Sequence, residues 1–189
     1  MNFPDEAFRA AVTNAFDTDH SGWLSDAELE AVDSFGSEDT DYTTVQGMEY
    51  FTEMTTVLLD GAPSLTSIDL TANTKLRYVD VCYNGLTEVN IEGLYDLIDL
   101  DISQNALSAF DVSDFDLERL VCYANPMTSL TLGDQSGLRY LSCFGTDLVT
   151  LDLRGCSTAT TTARRPWPPT TWNTRWTTPT CCAWTPVRS

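Results

Sequence analysis

The chain has a single histidine, no apolar run near the ~20 residues that cross a bilayer, and very little positive charge before residue 157. Each shortage excludes something. His20 alone leaves general acid–base chemistry without its usual side chain, and neither a nucleophile elbow nor a phosphate loop is present. Residues 1–156 set six basic residues against 28 acidic ones, a net charge of −22. Such a body repels nucleic-acid backbones and anionic lipid, so no nucleic acid and no membrane insertion are expected; cations, basic protein surfaces and glycans remain as partners. The start, MNFPDEAF, has neither a basic nor an apolar stretch, so no signal peptide is expected within this chain. Six cysteines at these spacings do not make a small disulfide framework.

What is there begins with a phrase. Residues 76–86 run Leu76-xx-Val79-x-Val81-xx-Asn84-x-Leu86. The phrase returns from Leu97 through Leu100, Ile102, Asn105 and Leu107, then from Leu117 through Leu120, Cys122, Asn125 and Met127. A last copy runs from Leu138 through Leu141, Cys143, Thr146 and Leu148, and a looser first copy starts at Met54. Starts at Met54, Leu76, Leu97, Leu117 and Leu138 give periods of 22, 21, 20 and 21 residues. Every coil adds a second apolar triplet on its return path, for example Leu86/Val89/Ile91 and Leu107/Phe110/Val112. Two inward stripes per coil predict a flattened tube of about five short parallel strands, which holds only if neighbouring coils stack. Asn84, Asn105 and Asn125 are expected to form a ladder that bonds the turns, broken by Ala62 at one end and Thr146 at the other. Cys122 and Cys143 fill an inward slot as small hydrophobes, although strands ~4.8 Å apart would also permit a bridge between them.

Before the repeats, the stretch 3–15 opens with Pro4, Asp5 and Glu6 and predicts a helix, and Ser25 with Glu28 forms a capping box for a second helix over 25–34. Between them DTDHSGWLSDAE, residues 17–28, matches an EF-hand loop position by position. Asp17, Asp19 and Ser21 stand at positions 1, 3 and 5, Gly22 at the sharp turn, Trp23 at the position that offers a backbone carbonyl, Ser25 at position 9 and Glu28 at position 12. Those residues predict a Ca²⁺ site; the competing reading is a metal-free acidic turn in which Ser25 and Glu28 only cap a helix. Residues 37–48 do not supply a second loop, so a structural ion is expected rather than a sensor pair. Residues 35–53 are expected to be irregular, with one helical turn at 47–51, and the cap helices to cover the first strand edge.

This phrase resembles the leucine-rich repeat, and the order of cap and repeats over residues 3–156 resembles the internalin-like bacterial proteins. The resemblance implies a surface or secreted module, extracellular, whose concave strands touch a protein or a glycan; a monomer is expected. Strand alternation then names the display. With Val79 and Val81 inward, the outward columns contain Tyr78, Asp99, Arg119 and Tyr140; Asp80 and Asp101; and Tyr123 and Phe144. A spacer without a binding face is the alternative, and an enzyme using Asp80, Asp99 and Asp101 the remote one. The organisation is therefore a cap (1–53), repeats (54–156) and a tail (157–189). The tail holds eleven Thr, five Pro, four Trp and four Arg and no acidic residue. It reads as a shifted frame from near Thr158, expected to pack poorly. Lending the last base of each TGG codon to the next codon restores alanine at 167/168, glutamate at 172/173 and aspartate at 176/177 and 184/185.

Overall fold

The computed structural model describes residues 2–156, so the expectations for the tail lie outside the described residues. The first helix, α1 (Glu6–Phe16), starts where Asp5 Oδ1 accepts the Phe8 amide at 2.8 Å. The other Asp5 oxygen accepts from the amide and hydroxyl of Thr43, tying the helix start to the segment before the repeats. Phe8 and Val12 form its buried side, and the Phe8 ring meets Phe35 and Tyr42 edge to face at 5.6 Å each.

The second helix, α2 (Asp26–Glu30), is five residues long, shorter than the span the sequence suggests. Chain beyond it is recruited into a strand, β1 (Ser34–Glu38), which pairs in parallel register with the first repeat strand, β2 (Thr56–Asp60), from Ser34↔Thr56 to Glu38↔Asp60. This corrects the expectation that helices cover the strand edge. A strand satisfies the amides of that edge directly, while the helices pack behind it through Phe8, Phe35 and Phe16. The helical turn expected at 47–51 is a 3₁₀ turn, Met48–Tyr50. Gly47 precedes it at φ +111°, with the Phe3 ring where a Cβ would stand, so both backbone and packing demand glycine there.

The five repeat strands follow at the expected positions. After β2 and β3 (Ser67–Asp69) come β4 (Tyr78–Asp80), β5 (Glu88–Asn90), β6 (Asp99–Asp101), β7 (Ala109–Asp111), β8 (Arg119–Val121), β9 (Ser129–Thr131) and β10 (Tyr140–Ser142). Among the described residues β1-β2-β4-β6-β8-β10 form one six-stranded parallel sheet, and β3-β5 and β7-β9 form two short ladders. Val57, Val79, Leu100, Leu120 and Leu141 are aligned by the strand register and buried inward. Strands of three residues suffice because each coil's strand hydrogen bonds and apolar stripes are completed by its neighbours.

The asparagine ladder is present and reciprocal. Asn105 Nδ2 donates to Val81 O at 2.9 Å in the preceding coil and to Ile102 O at 3.1 Å in its own, while its Oδ1 accepts the Leu86 amide at 3.1 Å. Asn84 and Asn125 repeat this one coil to either side. Thr146, in the same slot, donates to Cys143 O of its own coil at 2.8 Å and, among the described residues, makes no such bond to the coil before it. Two further buried amides do similar work in other turns. Asn73 donates to Met48 O and Phe51 O, and Gln135 to Val112 O, Phe115 O and Leu132 O.

Candidate functional site

Two groups of predicted residues are brought together, one in the cap and one on the outer face of the long sheet. In the loop 17–28 the turn is shaped by carboxylates that accept backbone N–H groups. Asp17 takes the amides of Ser21 (3.0 Å) and Gly22 (2.8 Å), and Asp19 takes Ser21 (3.0 Å). Gly22 lies at φ +82° and His20, exposed, at φ +58°, the left-handed geometry a sharp turn requires. Ser21 Oγ donates to Trp23 O at 3.0 Å, which sets those two oxygens side by side, and the indole itself is exposed.

Glu28 closes the loop. One oxygen accepts the amide and hydroxyl of Thr18, both at 2.7 Å, and the other the amide and hydroxyl of Ser25, both at 2.9 Å. Those donors, the Ser25 amide foremost, hold its carboxyl down at about 2. Ser25 and Glu28 therefore perform the capping box, while one oxygen each from Asp17, Asp19 and Glu28 lie within 4.8 Å of one another. Oxygens bound at ~2.3–2.6 Å to one Ca²⁺ lie at most about 5 Å apart across the ion, so this all-oxygen set fits a hard divalent cation.

On the sheet, Tyr78, Asp99, Arg119 and Tyr140 stand in register along one outward column, and Asp80 and Asp101 along the next. The Arg119 guanidinium donates to Asp99 Oδ1 at 2.6 Å and to Asp101 Oδ2 at 3.1 Å, and its centre lies 5.8 Å from the Tyr140 ring centroid. Burial works against the Arg119 charge, but its bonds to Asp99 and the charges of Asp99 and Asp101 outweigh this and raise its pKa. Asp101 points outward yet is buried, because Arg119 lies over it and Ser103 donates to it through both amide and hydroxyl. Strand alternation tells which face a residue takes; the height of its neighbours decides whether it is displayed.

Asp80 accepts the Cys82 amide at 3.1 Å, and burial chiefly, with the Asp101 charge, pushes its carboxyl up. Asp80, Cys82 and Asp101 bring one ligand atom each within 4.8 Å. The Cys82 thiol is pushed up by burial and by those carboxylates, so it is a poor thiolate. Cys122 and Cys143 occupy consecutive inward rungs as free thiols, both pushed up by burial. Tyr123 and Phe144 stack face to face, centroids 4.6 Å apart and rings within 4° of parallel, with Gln104 donating to the tyrosine hydroxyl at 3.1 Å. Leu58, about half exposed and paired with Asp80 across the β2–β4 register, belongs to the same outward column as Asp80 and Asp101. Alternation places it on the display face, but as a lone aliphatic residue it is not among the expected contacts, which favour aromatic and charged side chains.

No family model matches the chain, and no curated protein does. Solved structures do. The functional domain of InlJ from Listeria monocytogenes, described as including a cysteine ladder, superposes with a TM-score of 0.60 at 25% identity over 83% of this chain and 40% of that one. An internalin C2 from the same organism gives 0.43 at 18% identity over 83% of this chain and 92% of that one. Internalin F gives 0.32 at 14% identity over 84% and 74%. The chain thus spans 40% of the length of the InlJ domain. Among the described residues no helix is long and apolar enough to cross a membrane. The fold is a leucine-rich repeat solenoid, and its structural neighbours are Listeria internalins.

Proposed function

We propose that the chain is a non-enzymatic recognition module of a secreted or surface-held bacterial protein, binding a protein partner on the outer face of its long sheet and carrying a structural Ca²⁺ in its cap. The observation that supports it best is the make-up of that face. Tyr78, Tyr140 and Phe144 rise beside Asp80, Asp99 and Arg119 from one hydrogen-bonded sheet, so aromatic anchors are presented on a rigid surface that loses little freedom on binding. A protein suits this better than a glycan, because Tyr123 and Phe144 stack on each other and leave few ring faces for a sugar. Extracellular calcium at ~10⁻³ M would fill even a weak loop of ~10⁻⁴ M affinity, which favours a structural ion outside the cell.

The test compares capture by the immobilised full chain with capture by a variant carrying alanine at Tyr78, Tyr123, Tyr140 and Phe144. Loss of a partner from that variant, but not from one altered at the exposed Glu88 and Ser129 of the return ladders, supports recognition. Equal capture by both, or none by the wild type, would support a spacer instead.

A further inference from the structure

Among the described residues the outward strand positions of the long sheet contain one cation, Arg119, and it is already held. Arg119 sits between Asp99 and Asp101 with Tyr140 beside it, so the sheet itself displays what a seat for a guanidinium looks like here: carboxylates from a neighbouring coil, and an aromatic ring. Nearer the cap the same ingredients recur, and among the described residues no cation is in ion-pair contact with them; Arg119 acts on Asp80 only from farther off, as the last of the influences on its carboxyl. Asp80 stands in the column of Asp101, Tyr78 lies two residues before it on the same face, and Leu58 opposes Asp80 across the β2–β4 pair. Glu38 and Asp60 face each other in the β1–β2 register. Among the described residues no lysine or arginine makes an ion pair with Glu38, Asp60 or Asp80.

We propose that this corner, formed by Leu58, Asp60, Tyr78 and Asp80 with Glu38 at its rim, seats an arginine or lysine side chain of the protein partner. The inference rests on the outer sheet face being the binding face and names the chemistry of what it binds. Leu58 and Tyr78 are 49% and 43% exposed, a surface for the methylenes of a long basic side chain, whose charged end would then reach Asp80 and Asp60. Next to Leu58 the β1 strand has Gly36, which adds no side chain and leaves that flank open. Like charges on neighbouring strands, offset at Asp80 only in part by the more distant Arg119, disfavour the free protein, and a basic side chain relieves that repulsion. A body at −22 also steers a basic surface towards itself.

The experiment follows amide and tyrosine-ring NMR signals of the full chain at low salt. The probes are acetyl-Gly-Arg-Gly-amide, its neutral citrulline counterpart and acetyl-Gly-Glu-Gly-amide. The arginine peptide is expected to shift Leu58, Tyr78 and Asp80 selectively, with the citrulline peptide about tenfold weaker. Asp80→Asn, which keeps an oxygen for the Cys82 amide, should weaken the arginine peptide about tenfold. Leu58→Lys, at an exposed position that spares the core, should abolish its binding by placing a cation in the seat. Shifts spread equally over exposed convex-side acids such as Asp69 and Asp111 would overturn the proposal, since that is unspecific screening. Equal binding of the citrulline peptide at the outer face overturns the cationic seat while leaving a binding face intact, and silence of that face towards all three peptides overturns the seat, the binding face itself being decided separately by the capture test.

Discussion

The cap and the repeats hold their tight turns in different ways. In the repeats a turn is bonded from the next coil: Asn84 takes the Ala62 amide, Asn105 that of Leu86, and Asn125 that of Leu107. In the cap the loop 17–28 is bonded from within, by the carboxylates of Asp17, Asp19 and Glu28 on amides a few residues away, Thr18 being the farthest in sequence from its partner. Neutral amides buried between coils answer to stacking and ignore pH. Charged groups at an exposed loop answer to protons and cations. The difference implies that the solenoid should be broken by side-chain removal and the cap by solution conditions.

The largest effect belongs to the ladder. Asn105→Ala removes donations to Val81 O, Ile102 O and Ser103 O and leaves the Leu86 amide without its acceptor, all in a buried setting. Unsatisfied buried groups cost ~1–3 kcal/mol each, so a loss of about 3 kcal/mol is expected, read as a lower urea midpoint. That loss should be the same with and without calcium; a calcium-dependent loss would show that the two regions are not separate in the way described.

Calcium comes next and should act on the cap alone. One millimolar ion on a loop of ~10⁻⁴ M affinity stabilises by about 1.4 kcal/mol. Chelation is therefore expected to lower the melting temperature by a few degrees, and Glu28→Gln to abolish the difference. A chain indifferent to chelator would leave Asp17, Asp19 and Glu28 as turn-formers only.

The protons of the two acidic regions should move in opposite directions. The Glu28 carboxyl is lowered from 4.5 to about 2 by the amides and hydroxyls of Ser25 and Thr18, so its contribution is complete above about 4.5 and is lost as pH falls towards 2. Asp80 is raised, by burial first, so its charged form is the disfavoured one and stability is lost as pH rises through its folded value. Side-chain carboxyl titration by NMR checks both signs in one experiment. Amide exchange should show 17–28 loosening in acid before the ladder does.

How far these features are legible in the sequence follows the same division. Leu76, Val79, Val81 and Asn84 announce their roles because the phrase recurs and each copy repeats the evidence. The sharp turn at 17–28 is legible through fixed loop positions, and Asp17, Asp19 and Glu28 are the residues that bond it. The strand β1 is not: Ser34-Phe35-Gly36-Ser37-Glu38 has one large apolar residue, so it shows no alternation, and only its partner β2 makes it a strand. Asn73 and Gln135 bond turns outside the recurring asparagine slot, so no period points to them. The burial of Asp101 depends on Arg119 reaching across from the next coil, a contact that strand alternation cannot encode.

The smallest effect concerns backbone and tests whether stacking alone shapes the repeat turns. Tyr83, Gln104 and Ala124 follow their strands at φ +53° to +54°, in the slot where Gly61 and Gly145 occur at the two ends. Three side-chain-bearing residues in the left-handed region are held there by hydrogen bonds from Tyr83 N to Ser103 O, Gln104 N to Tyr123 O and Ala124 N to Phe144 O. Glycine adopts that conformation without the Cβ penalty. Ala124 is exposed and lends no side chain to the core, so Ala124→Gly isolates the backbone term. It is expected to stabilise the chain by about 0.5–1 kcal/mol, with an unchanged urea slope. Gln104→Gly should gain less, because it also removes the bond from Gln104 to the Tyr123 hydroxyl. If Ala124→Gly were destabilising, the turn would owe its shape to its own residue and not to the coil beside it, and the contrast between laddered repeats and self-bonded cap would fail at that position.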